Sequence, residues 1–277
     1  MTVDVEDYYQ VEAFSGHVDR MDWPNYESRI ECNVDRLLQQ FADHGIHGTF
    51  FTLGWIGEHY PRLTRRIVEA GHELASHGYN HTRVDHQSPD DFRLDARKTK
   101  QILQDLGGLE VWGYRAASFS ISHKTPWAFE ILSEEGYAYS SSVYPIRHDL
   151  YGMPTAPRFA HKPDAHSDIL EIPITTVSLL NRNFPCGGGG YFRLLPYGVS
   201  RWAMRRVNRL DGQPCVFYCH PWEIDPDQPR MQNLSLKTRV RHYVNLGRMT
   251  DRLAALLSDF AWDRMDRVFL GEKTGVP

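Results

Sequence analysis

Glu73-Leu74-Ala75-Ser76-His77-Gly78-Tyr79-Asn80-His81 is the stretch on which the reading of this chain turns. Its first four residues follow the Ala70-Gly71 stop of a helical segment and read as a short strand. Two histidines four apart come next, with small or polar side chains around them. On one turn of helix, or in a tight loop that imitates one, side chains at i and i+4 project to the same side. Two neutral imidazoles converging in this way grip a divalent metal, most often zinc. Among fourteen histidines such a pair arises readily by chance, but here it sits at a strand end, where α/β folds place their chemistry.

Moving outward, Gly48–Leu53 is a continuous apolar run of the doubly buried, parallel kind. Before it, Ile30, Val34, Leu37, Leu38 and Phe41 recur with helical period up to Gly45. The first residues, Thr2-Val3-Asp4-Val5-Glu6-Asp7, read as a strand running into acids. Downstream, Pro61 opens a helix, and Ser88-Pro89-Asp90-Asp91 is a strong helix start. Val111–Tyr114 is a strand leading into Arg115, Thr125-Pro126 caps another helix, and Tyr137–Ser140 is a short strand. Strand alternating with helix predicts parallel strands joined by right-handed crossovers. No glycine-rich dinucleotide fingerprint follows the first strand, so with about seven such units a (β/α) barrel is expected rather than an open nucleotide-binding sheet.

The rhythm breaks over 144–168, a proline-rich loop expected to lie over the barrel mouth. Strands are expected at 169–174 and 213–219, helices at about 199–210 and 236–257, and a last strand at 267–270. The glycines of 187–190 let the backbone approach something closely; with no Gly-Lys-Ser/Thr after them, a packing role is favoured over a phosphate cradle. With no linker, repeat or low-complexity tract, residues 1–277 are read as one domain with a helical extension from about residue 230.

Composition limits the function classes. A net charge of -4 leaves no footprint for nucleic acid. No apolar stretch is long enough for a membrane span. The four cysteines (Cys32, Cys186, Cys215, Cys219) form no Cys-x-x-Cys pair and are expected to be free. No leader-like segment opens the sequence, so the expected compartment is cytoplasmic. Aromatic residues at 12% suit a groove on which sugar rings stack.

Four strand ends carry polar groups: Asp4/Glu6/Asp7, His77/His81, Arg115 and His220. A parallel barrel brings all four to one rim. Two histidines and a carboxylate, with positions left open, make a hydrolytic metal site. A second carboxylate would serve as base; Asp4 and Glu6, two apart on a strand, share one side. Arg115 would hold the base ionised, and His220 would protonate a leaving amine.

These stretches, with Gly48-Thr49-Phe50-Phe51, Ala70-Gly71-His72-Glu73, Gly113-Tyr114-Arg115 and Tyr218-Cys219-His220-Pro221-Trp222-Glu223, resemble the polysaccharide deacetylases of the NodB-homology class, carbohydrate esterase family 4. Gly188–Tyr197 and Arg241–Leu246 resemble the branch found with exosortase-linked exopolysaccharide loci. The resemblance implies a distorted, NodB-like (β/α) barrel with about seven parallel strands, and a metal-dependent hydrolase that removes N-acetyl groups from amino-sugar units of a bacterial polysaccharide. Carried over, it makes Asp4 the base, Arg115 its orienting partner, His220 the acid, and His77 and His81 metal ligands. Glu6 is the preferred third ligand, with Asp7 the alternative. Zinc is the expected metal, with cobalt or manganese as alternatives, and Trp222 and Tyr191 are assigned to sugar contact. The chain departs from the family pattern in three places: the order Asp-Val-Glu-Asp after the first strand, Ala117 in place of a proline, and Ser140 where an aspartate often orients the acid. An allantoinase-like or imidase-like amidase, or a saccharide-binding protein with a weak site, are the rival readings.

Overall fold

A computed structural model describes residues 1–149, 151–163 and 167–271. The expected alternation is present. It runs β1 (Thr2–Val5), α1 (Ile30–Asp43), β2 (Thr49–Thr52), α2 (Gly54–His59), α3 (Pro61–Glu69), β3 (Glu73–Ser76), α4 (Pro89–Gly107), β4 (Gly113–Tyr114), α5 (Trp127–Glu134), β5 (Tyr139–Ser140) and β6 (Leu170–Glu171). A hairpin, β7 (Thr176–Leu179) and β8 (Arg182–Pro185), then precedes α6 (Gly189–Leu194), α7 (Tyr197–Arg206) and β9 (Tyr218–Cys219). Two helices, α8 (Leu236–Tyr243) and α9 (Met249–Asp259), follow.

Seven strands form one all-parallel sheet in the order β6-β5-β4-β3-β2-β1-β9. Among the described residues no ladder joins β6 to β9, so the sheet curls as a partial barrel instead of closing. Its strands are buried along their length, as parallel strands covered by helices must be. The largest core cluster ties the N-terminal strands to Phe217, Cys219, Met249, Leu253 and Leu257 from the other end of the chain.

Register positions the chemistry. Val5 pairs with Thr52, Thr52 with Ser76, and Ser76 with Tyr114. The next residue on β1, β3 and β4 is therefore Glu6, His77 and Arg115, all on one row at the carboxyl ends of the strands. Across the other side of β1, Val3 pairs with Cys219, which brings His220 level with Asp4.

Two expected elements differ, and one hairpin lies outside the expectations. Residues 267–270 are not a strand: Asp266–Leu270 is a helical turn, because a short apolar run carries no period that separates strand from buried helix. The helix expected at 236–257 is broken into α8 and α9 by Asn245, which sits at φ 53°, followed by a turn at Leu246–Arg248. The β7–β8 hairpin lacks the Asn-Gly turn that would have announced it, since Leu180-Asn181 supplies the two positive φ angles. All four cysteines are free. No helix among the described residues is long and apolar enough to cross a membrane.

Candidate active site

Every strand-end residue singled out above reaches one groove of about 370 Å³ except Asp7 and Arg115. Arg115 lies directly beneath it. Its guanidinium is fully buried, 4.0 Å over the Phe51 ring, and donates to Asp4 Oδ1 at 2.6 Å, Thr2 Oγ1 at 2.8 Å and Ser141 Oγ at 2.9 Å. Asp4 is 2% exposed. A carboxylate so buried needs a paired, hydrogen-bonded cation, and Arg115 also fixes which oxygen faces the groove.

His77 follows β3 directly. Its Nδ1–H donates to the Arg115 carbonyl at 2.8 Å, which sets the tautomer and leaves the Nε2 lone pair for the groove. His81 lies in the loop beyond, at φ 55°. That loop is pinned from three sides. The first N–H groups of α2, which have no partner inside the helix, donate from Gly54 and Trp55 to the carbonyls of Gly78 and Tyr79. Asp95 on α4 accepts from the Tyr79 N–H, and Arg20 donates to the carbonyls of Asn80 and His81. Gly78 at φ 72° makes the turn that these contacts require.

Glu6, His77 and His81 fit a divalent cation. One donor atom from each lies within 4.8 Å of the other two, and all three residues are buried. Glu6 Oε2 has no hydrogen-bond partner, although buried, and stands 3.1 Å from His81 Nε2. Burial lowers the pKa of His77, and burial together with His77 holds that of His81 well down, so both imidazoles are neutral donors. Burial, opposed by His220 and reinforced by Asp4, pushes Glu6 up to about 7.

Asp7 does not belong to this set. Its Oδ1 accepts from the Tyr8 N–H, and its Oδ2 accepts from Ser28 Oγ and the N–H groups of Arg29 and Ile30. One residue beyond Glu6 on the chain, it faces away from the groove and caps the start of α1. Asp7→Ala is expected to cost about 1–2 kcal/mol of stability, as for loss of a helix cap, and to leave metal content unchanged; a melt and elemental analysis check both.

His220 opens a turn over Pro221–Ile224. Its orienting partner is not at position 140. Ser140 is buried and donates to Ser142 Oγ at 2.8 Å. Asp149, from the proline-rich loop, pairs with Lys237 and Arg241, and Asp168 with Lys162. Glu223 holds the histidine instead: its Oε2 accepts from the His220 backbone N–H at 2.9 Å and from Nδ1 at 3.1 Å. Glu223 is buried against Arg193, whose Nε donates to Oε1 at 2.7 Å. The rest of that guanidinium donates to the carbonyls of Arg241, His242 and Val244. Burial works against the Glu223 charge, but Arg193 and His220 hold its pKa down to about 2. Burial likewise works against a charged His220, yet the Glu223 hydrogen bond and the Glu6 charge push it up to about 9. It therefore carries a proton at neutral pH that it can give to a leaving group.

The glycine run now has its reason. A Cβ on Gly187 would lie 2.4 Å from the Val216 carbonyl, and one on Gly189 would lie 2.0 Å from Glu223 Oε2. The run packs on β9 and on Glu223, as a structural role requires. Trp222 lines the groove but is only 5% exposed, with His220 stacked on it at 5.1 Å and His242 at 4.1 Å. Tyr191 does line the groove and is half-buried, beside Tyr151 and Leu194.

Comparison with known proteins agrees with this architecture. Residues 19–139 match the family model described as Polysaccharide deacetylase, and residues 141–270 one described as a domain of unknown function, DUF3473. A peptidoglycan-N-acetylglucosamine deacetylase of Bacillus cereus is 33% identical over 73 residues, 26% of this chain and 26% of that protein. A peptidoglycan deacetylase of Helicobacter pylori is 30% identical over 116 residues, 41% of this chain and 38% of that protein. The chain thus spans between 26% and 38% of the length of these curated relatives. A crystal structure from Mycobacterium smegmatis, assigned to the polysaccharide deacetylases, has the same fold, with a TM-score of 0.62 at 19% identity over 99% of this chain and 88% of that one. Through residues 19–139 this chain is similar to the polysaccharide deacetylase family, on a seven-stranded parallel sheet whose fold it shares with the Mycobacterium smegmatis structure.

Proposed function

We propose that this protein is a metal-dependent hydrolase that removes N-acetyl groups from amino-sugar units of a bacterial polysaccharide. The observation that carries the reading is the buried Glu6, His77 and His81 triplet with an unsatisfied Glu6 oxygen, placed between the Asp4–Arg115 pair and His220. Zinc is the preferred occupant, with cobalt or manganese as alternatives for a two-histidine, one-carboxylate set. Once bound, the cation supplies Lewis acidity toward the acetamide carbonyl and the attacking water.

The protein residues supply the rest. Asp4, aimed by its hydrogen bond from Arg115, takes the proton from the water as it attacks the acetamide carbon. The C–N bond then breaks, and His220 delivers its proton to the departing amine nitrogen. Glu223 keeps that imidazole charged and turned toward the groove. The products are acetate and a free amino sugar. Tyr191 and Tyr151 offer aromatic surface to the sugar ring. The exosortase-linked, exopolysaccharide branch remains our reading of residues 188–197 and 241–246. The single domain is likewise our reading, supported by strands from both matched segments sharing one sheet. So is the cytoplasmic location, supported by four free cysteines.

Acetate release from N-acetylglucosamine oligomers, with allantoin in parallel, tests the function. Release from the oligomers alone supports it; turnover of allantoin alone replaces it with the small-amide reading; no turnover of either, with metal bound, leaves a binding protein. His77→Ala, His81→Ala and Glu6→Gln are each expected to lose the metal while the chain stays folded. Full metal occupancy in any of them would remove that residue from the site.

A further inference from the structure

The stretch between Glu171 and Asp211 contains no acidic residue, yet holds six arginines: Arg182, Arg193, Arg201, Arg205, Arg206 and Arg209. In a chain of net charge -4 this is a local inversion of sign. Three of the six are accounted for. Arg193 is buried on Glu223, and Arg201 and Arg205 share Asp259. Among the described residues Arg182, Arg206 and Arg209 have no acidic partner.

Large apolar side chains stand out of the same segment. Leu180 is 97% exposed, at the tip of the β7–β8 hairpin, and Phe184, Trp202 and Val199 are 47%, 49% and 43% exposed. The hairpin and α7 form one surface. Val177 and Leu179 on β7 pack with Ala203 of α7, and the register pairs Val177 with Phe184 and Leu179 with Arg182. Cross-strand partners share a face, so Phe184 and Arg182 lie on the side that meets α7. On α7, Val199, Trp202 and Arg206 follow the three-to-four spacing of one helical stripe, and Arg209 lies in the π-helical turn Val207–Asp211 that continues it. The hairpin tip is also costly to build this way. Leu180 adopts φ 49°, a region disfavoured for a side chain with a Cβ and usually given to Asn or Gly in such turns. Water alone gives no reason to place leucine there.

We propose that this face docks the protein on the surface of an anionic phospholipid bilayer, with Leu180, Phe184 and Trp202 entering the headgroup region. Tryptophan, phenylalanine and leucine beside unpaired arginines is the composition that seeks that interface, and arginine side chains snorkel to lipid phosphates. With no helix among the described residues apolar enough to cross, the attachment is peripheral. Six residues before α7, Tyr191 of the groove leads into the same segment, so docking would hold the groove beside the membrane surface. The proposal stands apart from the deacetylase reading and neither depends on the other.

Co-sedimentation of the whole chain with lipid vesicles tests it. The protein is expected to pellet with phosphatidylcholine vesicles containing about one quarter phosphatidylglycerol, to stay in solution with phosphatidylcholine alone, and to be released by high salt. Arg206→Glu with Arg209→Glu should weaken binding by roughly tenfold or more, and so should Leu180→Asp with Trp202→Asp. Leu180 is nearly fully exposed, so Leu180→Asp alone gives a folded control, checked by its melt and by acetate release. Absence of pelleting, or variants that pellet like the parent, would overturn the assignment. A dimer in light scattering that Trp202→Asp dissolves, without vesicle binding, would overturn it in favour of a second copy of this chain.

Discussion

Asp4→Asn is expected to lower turnover on the order of 10²–10⁴-fold, the loss that follows removal of a general base, while the metal stays bound. The amide still accepts from Arg115, so the geometry of the groove floor survives. What it cannot do is take a proton from water. The same change also leaves the Arg115 guanidinium, 0% exposed, without its counter-charge. Breaking a buried pair from one side costs about 3–5 kcal/mol, so a lower melting temperature should accompany the lost rate. Acetate release, elemental analysis and a thermal melt on one preparation separate the three effects. Parental turnover in Asp4→Asn would take the base role from this residue.

Glu223→Gln is expected to shift the pH dependence and, by leaving the buried Arg193 guanidinium without its counter-charge, to lower the melting temperature as Asp4→Asn does. A general acid works protonated, so its activity falls as pH rises through its pKa. Glu223 and Glu6 together push His220 up to about 9, which places the falling limb of the rate profile on the alkaline side. A cation on Glu6 removes part of that push, and Glu223→Gln removes the largest remaining part. A charged hydrogen bond contributes about 1.5–3 kcal/mol, so the limb should move down by about 1–2 pH units. The direction separates the two candidate partners: a limb that stays in place in Glu223→Gln but moves in Ser140→Asp would return the orienting role to β5. Arg193→Met should act in the same sense through Glu223, together with a loss of stability from three freed carbonyls.

Why the metal triplet was legible and the acid's partner was not follows from where each is encoded. His77 and His81 are close in sequence and follow an apolar strand, and Glu6 shares a strand side with Asp4, so period and register suffice. Serine at position 140, where relatives often carry an aspartate, leaves the partner of His220 open in the sequence. It lies three residues downstream, at Glu223, in a turn whose return toward His220 is set by Pro221 and by Arg193 from α6. The sequence contains both residues, but only tertiary packing brings Arg193 to them. The reach of Trp222 is hidden from composition in a related way, because composition counts aromatic rings but not their free faces: His220 and His242 stack on this one and leave it 5% exposed. Asp7 was kept beside Glu6 because neighbours on a strand differ only by side; the capping need of α1 decides which way it points.

The neighbour of β1 in the sheet has a consequence for how the protein is made. Thr2 and Phe217, joined by a hydrogen bond, are 215 residues apart. A ribosome delivers β1 before the other strands of the sheet and β9 after them, so one edge of β1 waits with its backbone groups unpaired while the intervening chain is made. Contacts of such separation close slowly, and an uncovered apolar edge is the kind of surface that recruits chaperones or aggregates. Mutations that weaken the β1–β9 seam should therefore lower the yield of soluble protein before they lower the activity of the molecules that do fold.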